Sequence, residues 1–278
     1  MKTCLLFARI SLTFIIYMTL STAGHAQWQW ARNASLVGNV SPGKAACATA
    51  GIVYIAGSFV ANNTCTFGSV TLDDSNLSLR MYLAKYDSLG NVLWAKGGGG
   101  DSNCLASGTS VATDRWDNVY VVGSYTNYYF DLGDTIIYNT DTTVGDNSSD
   151  IFIVKYNANG QLIWARDAGG RGNDYPTGIA IDTAGSLFVC GYYSSLKMMF
   201  GNDTLHYPKN TNLNGGGSDI FVAKYDSAGT VLWAKDFHGA GNKIDRLISC
   251  ATDAQGNLVI GGYFDDSTLV WALPLLQT

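Results

Sequence analysis

His206, His238 and a scatter of aspartates are the main acid–base equipment in the body of this chain, because glutamate is absent from all 278 residues. A glycosidic site would therefore need two aspartates acting as a pair. No G-x-S-x-G, H-E-x-x-H or phosphate-loop pattern occurs. Beyond the first segment the cysteines are Cys47, Cys65, Cys104, Cys190 and Cys250. They are odd in number, they include no C-x-x-C pair, and their spacing names neither a zinc site nor a particular disulfide. Cys190 and Cys250 lie in apolar, strand-like runs and read as small buried side chains. The chain reads as non-enzymatic, with no catalytic residue and no metal site assigned.

The glycine-rich connections hold the better binding candidates. Residues 169–174 read GGRGND, which matches the calcium consensus of nonapeptide β-rolls. The loops at 97–103 and 238–245 do not preserve it, and β-rolls need the motif in tandem. The reading is a plain glycine loop with no cofactor, calcium being the alternative. Asp174 and Asp245 stand eight residues before Asp182 and Asp253 in equivalent loops. They are the two residues expected to face a ligand.

What positions these loops is a repeat. Residues 220–235 read IFVAKYDSAGTVLWAK, 151–166 read IFIVKYNANGQLIWAR and 81–96 read MYLAKYDSLGNVLWAK. Half a copy, WQWAR, stands at 28–32. The anchors Trp30, Trp94, Trp164 and Trp233 are 64, 70 and 69 residues apart. An interleaved unit, GIAIDTAGSLFVCG at 178–191, recurs at 110–123 and 249–262 and more weakly at 45–57. Each unit is a strand, a turn opened by Asp or Asn and usually closed by Gly, and a second strand. The four strands, a to d, fall at 178–182, 186–193, 219–226 and 230–235 in one copy.

Strands b and c are apolar on nearly consecutive residues, which is the pattern of a sheet covered on both faces. Blades stacked around an axis meet that requirement. A further short hairpin is expected between b and c of each copy, at 65–72, 129–138 and 199–207. Lys85, Lys155, Lys224 and the recurring tryptophans occur in every copy, so they read as blade-maintaining residues. The fold class is all-β: a β-propeller of four-stranded antiparallel blades, with about 64–71 residues per repeat. Strands total three full sets, a lone d at the start, and a and b near the end. Residues 269–278 align with the extra hairpin and not with the missing c, so the ring is expected to be incomplete or truncated.

The pattern D-I-F-V-A-K-Y-D-x-x-G-x-V-L-W-A-K, with I-A-[VI]-D-x-x-G-x-[LV]-[YF]-V-x-G and F-G…T-L, resembles the SBBP-type β-propeller repeat. The similarity extends over nearly all of 27–264. It implies propeller blades and export, as in secreted and surface proteins of the Bacteroidetes, and it implies no single activity.

Residues 1–26 read as a signal peptide: Lys2 and Arg9, an apolar run to Leu20, then small residues ending at Ala26. The repeat domain is 27–278, with no transmembrane segment expected after cleavage and a secreted or outer-surface location. A formal net charge of −5 gives no reason to expect nucleic acid. The functional expectation is a non-catalytic binding or scaffold module for an unknown protein or glycan. The alternative is an accessory or catalytic domain of a polysaccharide-active enzyme.

Overall fold

The computed structural model describes residues 2–9, 12–20, 26–32, 34–74, 78–101, 104–139, 148–207, 217–239, 244–265 and 269–271. The segment 21–25 at the expected cleavage site, residues 102–103 and 240–243 of the inter-repeat loops, and 272–278 of the tail lie outside them. The first three strands, β1 (Lys2–Arg9), β2 (Leu12–Leu20) and β3 (Ala26–Arg32), form one antiparallel sheet in that order.

Three four-stranded blades follow. The first is β4 (Ala34–Cys47), β5 (Val53–Phe67), β7 (Arg80–Tyr86) and β8 (Val92–Gly98), with β6 (Val70–Asp74) folded back on β5. In the second, β9 (Ala106–Thr113), β10 (Val119–Thr126), β13 (Ser149–Tyr156) and β14 (Leu162–Gly170) surround the hairpin β11 (Tyr129–Asp131) and β12 (Ile136–Tyr138). The third has β15 (Asp174–Ile181), β16 (Leu187–Tyr193), β19 (Asp219–Tyr225) and β20 (Val231–Gly239), with the hairpin β17 (Lys197–Phe200) and β18 (Asp203–His206). A two-stranded partial blade, β21 (Arg246–Thr252) and β22 (Leu258–Tyr263), comes next, then β23 (Leu269–Trp271). In every blade the sheet order is a-b-c-d, all antiparallel, and the three extra hairpins stand where the repeat places them.

Side-chain alternation explains the continuous apolar runs. In β10, Val119 and Val121 enter the core shared with the first blade, while Tyr120 and Val122 enter the core shared with the third. Both faces of the strand are buried from Val119 to Gly123, and polar residues enter only at Ser124 and Thr126, where it leaves the core.

The turns that open with Asp or Asn are built by that residue. The Asp87 carboxylate accepts the N–H groups of Leu89 and Asn91 at 2.8 Å, and Asn157 and Asp226 do the same in the later blades. Turn closure needs a positive φ, supplied by Gly160 (77°) and Gly229 (80°) among others.

The same turns carry the joints between blades. The indole N–H of Trp94 donates to Ala158 O at 3.1 Å and that of Trp164 to Ser227 O at 3.1 Å, each carbonyl lying in the c–d turn of the next blade. Lys85 and Lys155 send their ammonium groups to the same two carbonyls at 2.7 and 3.0 Å. Trp30 of β3 makes the matching bond to Ser88 O, at 3.1 Å. Lys85, Lys155, Trp30, Trp94 and Trp164 are thus joint residues, whereas Lys224 pairs with Asp182 of its own blade at 3.3 Å. A repeated bulge after Lys85, Lys155 and Lys224 seats the tryptophan. It turns Leu93, Ile163 and Leu232 outward, where about half of each side chain is exposed.

The far end of each d strand is tied as well. Gly169 of β14 pairs with Met199 of the third blade's hairpin, and Gly99 bridges to Asp131 of the second's. His238 of β20 pairs with Val270 of β23 in the same register. The start of the tail therefore occupies the extra-hairpin position of the partial blade. Among the described residues, no helix is long and apolar enough to cross a membrane.

Candidate functional site

The two expected ligand-facing aspartates are inside the protein. Asp174 is 0% exposed: Oδ2 accepts the Ser195 hydroxyl at 2.6 Å, and Oδ1 accepts the Ser194 and Ser195 N–H groups at 3.3 Å. Asp245 is also 0% exposed and accepts the Asp265 N–H at 3.0 Å. Each carboxylate ties the start of a strand a to the chain leaving the neighbouring strand b, which is a fold-building task. Burial pushes the Asp174 carboxyl up to about 7, against the pull of its hydrogen bonds. Of the GGRGND segment, Gly169 and Gly170 belong to β14 and Asp174 opens β15. Among the described residues, no group of three His, Cys, Asp or Glu side chains is placed to hold a metal ion.

A different set of loops forms a continuous rim. The a–b turns of successive blades touch at one end of the row of a strands, each gripping the next. The Thr49 hydroxyl reaches Asp117 Oδ1 and Oδ2 at 2.7 and 2.8 Å, joining the first turn to the second. Trp116 of the second turn lies over Gly185 of the third, where a Cβ would stand 2.8 Å from the indole. The Thr252 hydroxyl donates to Ile181 O at 2.8 Å, joining the partial blade to the third.

Two turns on this rim depart from the repeat: the first blade's opens at Ala48 with Ala50 at φ +53°, and the second blade's replaces both inner residues with large charged or aromatic ones. Where the later turns read Asp182-Thr183-Ala184-Gly185 and Asp253-Ala254-Gln255-Gly256, the second blade has Asp114-Arg115-Trp116-Asp117. Asp117 takes φ +62°, a left-handed conformation that glycine fills at Gly185 (87°) and Gly256 (83°). The turn holds because Asp114 is saturated with donors. Its Oδ1 accepts the Trp116 and Asn118 N–H groups at 2.9 Å, and its Oδ2 accepts Asn118 Nδ2 at 2.8 Å and the Tyr120 hydroxyl at 3.1 Å. Lys155 adds an ion pair with Asp114 at 3.9 Å.

On this base Trp116 is 52% exposed, and the Arg115 guanidinium stacks over its ring at 4.3 Å. The arrangement offers a large apolar plate carrying a cation, with the Asp117 carboxylate beside it. The sequence signal for this plate is the broken Asp-x-x-Gly pattern at 114–117, which lies outside the inter-blade loops that hold Asp174 and Asp245.

On the outer side, the junction of the second and third blades forms an open cleft of about 460 Å³ lined by Arg166, Asp167, Asp203 and Tyr225. Burial raises the Asp167 carboxyl above the usual range. Asp203 is occupied by main-chain donors, accepting Ala234 N–H at 2.7 Å and Thr204 N–H at 3.0 Å. Its carboxylate fastens the extra hairpin to β20.

Comparison with known proteins agrees with this architecture. Residues 163–192 match the family model described as SBBP, beta-propeller repeat, and the match runs from strand d of the second blade through strand b of the third. An uncharacterized WD repeat-containing protein of Acanthamoeba polyphaga mimivirus is 26% identical over 206 residues, covering 68% of this chain and 14% of that protein. The regulatory protein FlaEY of Caulobacter vibrioides is 34% identical over 165 residues, covering 58% of this chain and 16% of FlaEY. The chain thus spans only a small fraction of the length of either relative.

Proposed function

We propose that this β-propeller repeat protein is a non-catalytic binding module whose a–b rim receives another protein outside the cell. The Arg115–Trp116 plate carries the reading. It is the place on the rim where the turn projects a large exposed side chain, Trp116 at 52% exposure under the Arg115 guanidinium, with Asp117 held left-handed beside it. Tryptophan and arginine are the side chains that most often anchor protein interfaces. A glycan ligand would stack on an open indole face, whereas here one face carries Arg115 and the ring lies over Gly185. That crowding favours a protein partner over a sugar. Export rests on the apolar leader. Cleavage after Ala26 removes β1 and β2 and leaves Trp30 in place to bond Ser88 O.

The test is a protein array and a glycan array probed in parallel with the exported protein, after N-terminal sequencing has found Gln27 first. Arg115→Ala and Trp116→Ala are expected to weaken binding to the array protein roughly tenfold or more, at an unchanged melting temperature for Arg115→Ala. Binding that ignores both changes would overturn the assignment. Release of reducing ends from a polysaccharide would establish the enzymatic alternative instead.

A further inference from the structure

Two cysteines 60 positions apart in the chain meet at the joint between the third blade and the partial one. Cys190 lies in β16, paired with Gly178 of β15. Cys250 lies in β21, which packs along β15 and β16. Gly178 is the gap that admits both: a Cβ there would stand 2.9 Å from the Cys190 sulfur and 3.2 Å from the Cys250 sulfur. At the equivalent positions of the neighbouring units the chain has Ser110 and Ser249. The two thiols are hydrogen-bonded to one another. The Thr177 hydroxyl is 3.9 Å from the Cys190 sulfur, and Lys44, which donates to Thr177 O at 2.7 Å, adds positive potential at both sulfurs.

We propose that Cys190 and Cys250 are a redox pair, and that oxidation closes them into a disulfide stapling β21 and β22 to the third blade. Both thiols are free in this structure. Their environment suits exchange. The two sulfurs act on one another, which holds the Cys190 thiol below its ordinary value and pushes the Cys250 thiol up. Cys65 and Cys104, which burial raises to about 12 and about 11, are both fully buried and take no comparable influence from a second thiol.

Access is graded as well. Cys190 is fully buried and Cys250 is partly exposed, so an incoming reagent meets Cys250 first. With a small disulfide RSSR as oxidant, Cys250 gives up its proton as it attacks one sulfur, the S–S bond of RSSR breaks, the released RS− takes that proton to leave as RSH, and Cys250–S–S–R remains. The Cys190 sulfur then attacks the Cys250 sulfur, the bond to R breaks, and the second RS− leaves with the proton Cys190 gives up. Two protein thiols lose two electrons, and RSSR becomes two RSH.

The staple falls on the element that most needs it. β21 and β22 form a two-stranded sheet, and Ile248 and Val259 are 58% and 62% exposed. A covalent link to β16 restricts the opening of this hairpin away from the packed blades.

The test uses the purified full chain incubated with oxidised glutathione, then mapped by mass spectrometry without reduction and followed by amide hydrogen exchange. The expected result is a linked peptide pair containing Cys190 and Cys250, reversed by dithiothreitol. Exchange in β21 and β22 should slow by roughly tenfold or more, with little change in the second blade. Cys250→Ser, and separately Cys190→Ala in case one variant fails to fold, should abolish both effects. Three outcomes would overturn the proposal: both thiols still alkylatable in folded, oxidised protein; glutathione retained on Cys250; or a disulfide between other cysteines.

Discussion

The a–b hairpins of the third blade and the partial blade are written in the same strand–turn–strand pattern and are buried very differently. Phe188 is 3% exposed and its counterpart Val259 is 62% exposed; Tyr193 is 0% exposed and its counterpart Phe264 is 50% exposed. Turn chemistry is not the cause. Asp253 accepts the Asn257 N–H at 2.8 Å, just as its counterpart Asp182 accepts the Ser186 N–H at 2.8 Å. What differs is company. β16 has β19 on its outer edge, whereas among the described residues no strand pairs with the outer edge of β22. The hairpin is encoded locally, and its burial is conferred by the next hairpin and the next blade.

The largest test of this contrast is the joint itself. Trp164 is buried against the turn of the third blade, while Trp233, the same residue one blade later, is half-buried and meets no such turn among the described residues. Trp164→Ala should cost about 3–5 kcal/mol in chemical denaturation. Trp233→Ala should cost about 1–2 kcal/mol, for the apolar area it covers on Phe188. Equal losses would show that burial at the joint is not what holds the blades together.

A smaller difference is expected at the turns. Gly229 (φ +80°) has the Trp164 ring 2.9 Å from where a Cβ would stand, whereas at Gly256 (φ +83°) the nearest atom is Asp182 Cβ at 3.8 Å. Alanine at either site carries about 1–2 kcal/mol of left-handed strain. At Gly229, overpacking against the indole adds about 1–3 kcal/mol. Melting temperatures of the two variants separate these contributions.

The smallest effect is a slope with pH. Because burial raises the Asp174 carboxyl to about 7, the folded state holds its proton over a range in which the unfolded chain has released it. Its contribution to stability is complete below about pH 4 and is lost as pH rises through 7, with a slope of at most about 1.4 kcal/mol per pH unit. Asp174→Asn should flatten the denaturation midpoint over that window. A wild-type midpoint that rises with pH over the same range and is unchanged by Asp174→Asn would contradict the burial of the protonated form.

Much of this architecture is legible in one sequence because the repeat samples each element several times. The hairpins, the turn residues, the extra hairpin between b and c, and the structural work of Lys85, Lys155 and the tryptophans all follow from spacing. Features that depend on contacts between copies are not legible in that way. Asp174 and Asp245 look like loop residues, and they are interior because the chain 20 residues later, at Ser194 and Asp265, folds over them. The meeting of Cys190 with Cys250 is invisible to spacing because it crosses from one blade to the next. Arg115 and Trp116 were readable as a break in an otherwise regular turn, yet the reach of the break, onto Gly185, required the next blade.

The indole-to-carbonyl joint also gives the array a direction. The first and second blades each offer donors, an indole N–H and an ammonium, to the blade that follows, and the second and third each present a turn carbonyl to the blade that precedes. A row built this way grows head to tail, like a polymer of monomers with unlike ends, and any two blades can be joined in only one sense. Hydrogen-bond polarity, written once in each repeat, therefore fixes the orientation of each blade relative to its neighbours without a separate instruction for any pair.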